Sequence, residues 1–98
     1  MRRGTTPTIT INTDLDLTDA SNLFVTFKQD GVVVFEKTLS DVTVTEETVV
    51  VNLTQDETLA LNTSAGLQFQ IRASLGDNKV ASNVMQTTVE KILKEGVI

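Results

Sequence analysis

From Leu67 to Leu75 apolar and polar residues alternate without a break. Leu67, Phe69, Ile71, Ala73 and Leu75 fall on one side, and Gln68, Gln70, Arg72 and Ser74 on the other. Period two is the repeat of a strand with one buried face, whereas a helix would spread the same residues around its circumference. A chain built on such a segment needs further strands to complete a sheet and a second layer to cover the apolar side. Thr and Val dominate the remainder, and both are β-branched residues that suit a pleated surface and lose rotamer freedom in a helix.

The other strands follow from the same reading. Thr8-Ile9-Thr10-Ile11-Asn12 alternates at period two, and Leu15 and Leu17 extend the pattern. Asn22 to Lys28 places Leu23, Val25 and Phe27 on one face. Asp30-Gly31 then supplies a hairpin turn into Val32-Val33-Val34-Phe35. Asp41 to Thr45 and Thr48 to Leu53 form two more strands about a polar Glu46-Glu47 break. Thr54-Gln55-Asp56-Glu57 has the form of a capping box and predicts one helical turn through Leu61. Gly76-Asp77-Asn78-Lys79 turns the Leu67–Leu75 strand back into a last strand over residues 80–89. About seven short strands with a single helical turn predict an all-β fold, an immunoglobulin-like antiparallel β-sandwich. The 98 residues form one domain, 1–98, since a second has no room.

Composition narrows the chemistry. The chain has no Cys, His, Trp or Tyr, which removes disulfides, the usual zinc ligands and Ser–His or Cys–His nucleophile arrangements. Any enzyme reaction would rest on carboxylates and Arg72, so the expectation is no enzyme, no cofactor and no metal. A net charge of −5 with scattered basic residues opposes nucleic-acid binding. No apolar run reaches the length of a membrane span, and Met1-Arg2-Arg3 leads into Gly-Thr-Thr-Pro rather than a signal core, so no membrane association is expected.

Several groups invite a functional reading beside a plainer one. Asp14, Asp16 and Asp19 are calcium-type oxygen ligands in a loop, but the Gly and terminal Glu of an EF-hand are missing, and a solvated turn is the simpler account. Glu46 and Glu47 could serve as a glycosidase pair only if they faced one cleft, whereas neighbours on a strand point to opposite faces. Arg72, between Gln70 and Ser74, either grips a carboxylate on a partner or covers apolar surface with its stem. Val32-Val33-Val34-Phe35 and Thr48-Val49-Val50-Val51 are apolar on both faces, so Val33 and Val50 are candidate interface residues on faces that a lone sandwich leaves exposed. Ile92, Leu93, Val97 and Ile98 make the C-terminal segment apolar. It either packs back as an edge strand or reaches onto a neighbouring chain.

Arg3-Gly4-Thr5-Thr6-Pro7-Thr8, Val25-Thr26-Phe27-Lys28-Gln29, Leu53-Thr54-Gln55-Asp56-Glu57-Thr58-Leu59, Gln70-Ile71-Arg72, Ala81-Ser82-Asn83 and Ile92-Leu93-Lys94-Glu95-Gly96-Val97-Ile98 together span nearly the whole chain. In this order they resemble a family of small proteins from tailed phages and prophages of Gram-positive (Firmicutes) bacteria. The resemblance implies a virion component associated with the tail or baseplate. Its partners would be other phage structural proteins and further copies of itself, met in the bacterial host cytoplasm during assembly and carried in the virion. It brings no catalytic motif. The alternative function is a β-sandwich module that binds a cell-surface glycan, for which the only aromatic residues are Phe24, Phe27, Phe35 and Phe69.

Overall fold

A computed structural model describes residues 1–94 and 96–98. The strands are β1 (Thr8–Asn12), β2 (Asn22–Gln29), β3 (Val32–Thr38), β4 (Val42–Val44), β5 (Thr48–Asn52), β6 (Leu67–Leu75), β7 (Asn78–Ala81) and β8 (Met85–Thr87). A 3-10 turn, Leu39–Asp41, precedes β4, and the short helix α1 (Gln55–Leu59) joins β5 to β6. Two antiparallel sheets result. One has the order β1-β5-β4; the other runs β3-β2-β6-β7, with β8 also on β6. This is the B-E-D against C′-C-F-G arrangement of an immunoglobulin-type sandwich. The expected single helical turn is thus joined by a second, the 3-10 turn before β4.

Two of the three hairpin turns follow from their glycines. Asp30 and Gly31 have φ of 52° and 78°, the paired positive values of a type I′ turn. Gly76 alone is positive at its turn, as type II′ requires, so β7 begins at Asn78, earlier than the sequence suggests. The last expected strand is divided in two by Ser82–Val84. There the Ser82 hydroxyl accepts from the Ile71 N–H (3.0 Å), while the Ser82 N–H donates to the Ile71 carbonyl (2.9 Å). β1 ends at Asn12 rather than continuing to Leu17: Leu15 is exposed, and Leu17 returns to the core from the following loop.

Leu23, Val25 and Phe27 from β2 and Leu67, Phe69 and Ile71 from β6 meet Ile11, Val49 and Val51 of the other sheet. Phe27 stacks between Phe35 (4.6 Å) and Phe69 (5.5 Å). Gln29, Lys37 and Thr58 are the polar side chains buried among the described residues, and each has a partner, the Thr58 hydroxyl donating to the Thr5 carbonyl (2.7 Å). Buried Gln29 donates to the Asn62 and Ala65 carbonyls (2.7 and 3.1 Å) and accepts from the Asn62 N–H (2.8 Å), fixing the loop ahead of β6. Lys37 shares the inner face with Val25 and reaches the Glu57 carboxylate of α1 at 2.7 Å. Glu57 also accepts from the Thr54 N–H (2.8 Å), and the Thr54 hydroxyl accepts from the Glu57 N–H (3.1 Å), closing the expected capping box.

Residues 1–3 and 88–90 are tied together at one end of the sandwich. Arg2 pairs with Glu90 in a parallel bridge, flanked by hydrogen bonds from the Met1 ammonium to the Thr88 carbonyl, from the Glu90 N–H to the Met1 carbonyl, and from the Arg3 N–H to the Glu90 carbonyl.

Candidate interaction surface

The outer face of the β3-β2-β6 layer is built from the alternate residues that the core does not use. Register sets Phe24 opposite Arg72, Thr26 between Glu36 and Gln70, and Lys28 between Val33 and Gln68. Phe24 is half-buried because the Arg72 guanidinium lies over its ring, 5.7 Å from the centroid. Arg72 also stands 3.7 Å from the Glu36 carboxylate, which accepts a 2.7 Å hydrogen bond from the Thr26 hydroxyl. The cluster is therefore an internally paired, solvent-facing patch in which Arg72 covers an aromatic ring while its charge stays in water.

Two valines of the expected interface fall on different layers. A bulge at Val34 shifts the β2–β3 register after Phe27, so that Phe35 turns inward while Val33 stands outward beside Lys28, 51% exposed. Val33 and Arg72 thus share one face. Val50 sits on the outer side of the other sheet, half-buried between Thr10 and Thr43, with Val49 and Val51 directed into the core. A single flat partner cannot cover Val33 and Val50 together.

The C-terminal segment occupies a third place. Ile92 is half-buried over Gly4, whose φ of +76° is strained for any other residue and where a Cβ, 2.9 Å from Ile92 Cδ1 and 3.2 Å from Leu59 Cδ2, would oblige those side chains to shift. Beyond it Leu93, Val97 and Ile98 are exposed, with the Ile98 N–H 3.3 Å from the Gln55 side-chain oxygen. Among the described residues no strand follows the Glu90 bridge, so the edge-strand alternative finds no place there. Glu95 lies outside the described residues.

The acidic loop is organised for itself. Asp16 accepts from the Thr18 hydroxyl (2.6 Å) and then the Thr18 N–H (2.9 Å), and these bonds hold its carboxyl below the usual aspartate range. Asp14 and Asp19 are exposed, and no cluster of three metal-ligating residues occurs among the described residues. Glu46 and Glu47 form the β4–β5 turn, where the Glu47 carbonyl accepts from the Thr13 N–H. Phe24 and Glu36 join the outer face although the strand pattern alone does not single them out. The available signal was a Phe at a polar-face position of an alternating strand, whose exposure had to be relieved by a neighbour.

No protein-family model matches the chain, and comparison with curated proteins and with solved structures finds no match.

Proposed function

We propose that the chain is a non-catalytic structural or adaptor protein acting through protein–protein contacts, in the tail or baseplate module of a phage or prophage. The observation that carries the contact reading is the outer face of β3-β2-β6. It presents exposed Val33 beside Lys28 at one end and Phe24 under Arg72, with Glu36, toward the other, a mixture of apolar and charged groups suited to a moderately polar interface. The phage assignment, and with it a place in the host cytoplasm during assembly and in the finished virion, rests on the resemblance alone. Glycan recognition is the weaker reading, because Phe27, Phe35 and Phe69 stack in the interior and Arg72 lies over Phe24, which leaves no open aromatic platform for a sugar.

The test is the composition of particles. Phage induced from the bacterium that encodes the chain should contain it in fixed stoichiometry by quantitative mass spectrometry. Val33→Lys should lower its copy number per particle roughly tenfold, while the purified variant keeps its melting temperature. Absence of the wild-type chain from particles and from partly assembled tails would overturn the phage reading. Undiminished incorporation of Val33→Lys would remove this face from the interface.

A further inference from the structure

Each sheet of the sandwich ends in strands with one unpaired side, and natural proteins protect such edges with charge, proline, bulges or shortness. β3 carries Glu36, Lys37 and the bulge at Val34; β4 has three residues and is bracketed by Asp41 and Glu46-Glu47. β7 carries Lys79 and follows Asp77, and β8 has three residues. Within β1 none of these devices occurs, and the flanking Pro7 turns its backbone toward β5, where its carbonyl accepts from the Leu53 N–H, so it does not block the open side. The five residues of β1, Thr8-Ile9-Thr10-Ile11-Asn12, contain no charge and no proline, pair with β5 in unbroken register, and have no neighbour on the other side among the described residues.

The direction of its free hydrogen-bonding groups can be read from the ladder. The Leu53 N–H donates to the Pro7 carbonyl (3.0 Å) and the Thr13 N–H to the Glu47 carbonyl (2.8 Å), so odd-numbered residues bond toward β5. Thr8, Thr10 and Asn12 therefore direct their N–H and C=O groups to the open side, and their side chains are exposed. At the Ile11–Asn12 end of this strand a cleft of about 400 Å³, lined also by Leu15, Leu17, Ile71, Val80 and Met85, separates it from β7.

We infer that β1 is a self-pairing edge: two copies join β1 to β1, antiparallel across a twofold axis centred on Thr10. This register sets Thr10 against Thr10 and Thr8 against Asn12, all outward-bonding residues, and allows about six backbone hydrogen bonds in a continuous six-stranded sheet. Continued outward, it places Asp14 against Thr6, so no like charges meet. The second copy is the favoured occupant because the edge is complementary to itself in register, polarity and charge. The inference stands apart from the phage assignment and uses a different surface from Val33 and Arg72.

Light scattering on a sizing column over a hundredfold concentration range should show a shift from the 10.7 kDa chain to twice that mass. Thr10→Pro removes only an outward donor and leaves the β1–β5 ladder intact, so it should weaken dimerisation at least tenfold without lowering the melting temperature. Because the chain has no cysteine, Thr10→Cys offers a second readout that needs no proline. Opposed residues of a hydrogen-bonded antiparallel pair hold their Cβ atoms about 5.5 Å apart, beyond the roughly 4.5 Å that a disulfide spans but within reach of a short bismaleimide, which should link two copies through Thr10→Cys and not through Thr43→Cys on β4. A monomer at every concentration with no Thr10→Cys crosslink above the Thr43→Cys control would overturn the inference. So would a dimer that a folded Thr10→Pro variant leaves unchanged. Should Thr10→Pro fail to fold, the crosslink decides.

Discussion

The two faces of the β3-β2-β6 layer each hold a cation–carboxylate pair, and the pairs differ in what surrounds them. Lys37 and Glu57 meet at 2.7 Å with side chains only 11% and 23% exposed; Arg72 and Glu36 stand 3.7 Å apart at 59% and 37%. The inner pair joins a sheet to the helix that crosses between layers, and its carboxylate also closes the helix cap. Neither partner can be lost without stranding the other in a poorly hydrated place. The outer pair is bathed in water, where screening and side-chain entropy remove most of its value, and its clearest role is to hold Arg72 over Phe24. Charge identity alone therefore does not separate a structural group from a surface available for recognition; hydration and the number of bonds sharing the carboxylate do.

The largest expected effect comes from breaking the inner pair. Glu57→Ala removes the cap and leaves Lys37 unpaired, and should cost about 2–4 kcal/mol in urea unfolding. Adding Lys37→Met should recover part of that loss; a double variant no more stable than Glu57→Ala would show that the cap, not the buried cation, carries the cost.

A smaller effect should come from acid. Burial pushes the Glu57 carboxyl upward, but hydrogen bonds from Lys37 and Thr54 and the Lys37 charge outweigh it and hold the group below its ordinary value of 4.5. Asp41 is lowered by the Thr38 N–H and then its hydroxyl, and Asp16 by Thr18. A carboxyl depressed in the folded state contributes fully above its unfolded value and loses that contribution as pH falls through the folded one. The melting temperature should thus decline as pH is lowered below about 4.5, with a shallower decline for Glu57→Gln. Equal slopes would mean that Glu57 is not a principal contributor. The smallest effect belongs to Arg72→Ala, about 0–1 kcal/mol, measured in the same urea series. A loss as large as that of Glu57→Ala would erase the distinction between the faces.

The sequence made faces legible where alternation was unbroken. β2 and β6 begin and end within a residue of their expected bounds, β1 begins where expected but stops at Asn12, and Asp30-Gly31 and Thr54–Glu57 carry their turn and cap chemistry locally. Neighbours were another matter, because period two gives a side but not a partner. Val33 and Val50 arise from similar valine runs, yet they fall on opposite outer faces because β3 and β5 belong to different layers. The break at Ser82 was hidden for a related reason. A serine hydroxyl can take the place of a backbone carbonyl in a ladder, and nothing in the local pattern distinguishes that serine from one on the solvent face. Lys37 was legible in principle, since it has the parity of Phe35, but its partner lies twenty residues away in the helix.

The parallel stitching of residues 1–3 to residues 88–91 has a mechanical meaning. In a parallel pair, tension drawing the first segment backward along the chain and the second forward slides one past the other along their common axis. The bonds at Met1, Arg3 and Glu90, with the Arg2 side chain on the Lys91 carbonyl, then bear load together instead of opening one at a time. Force entering at this end of the sandwich meets a clamp loaded in shear, and the core behind it stays closed until that clamp yields.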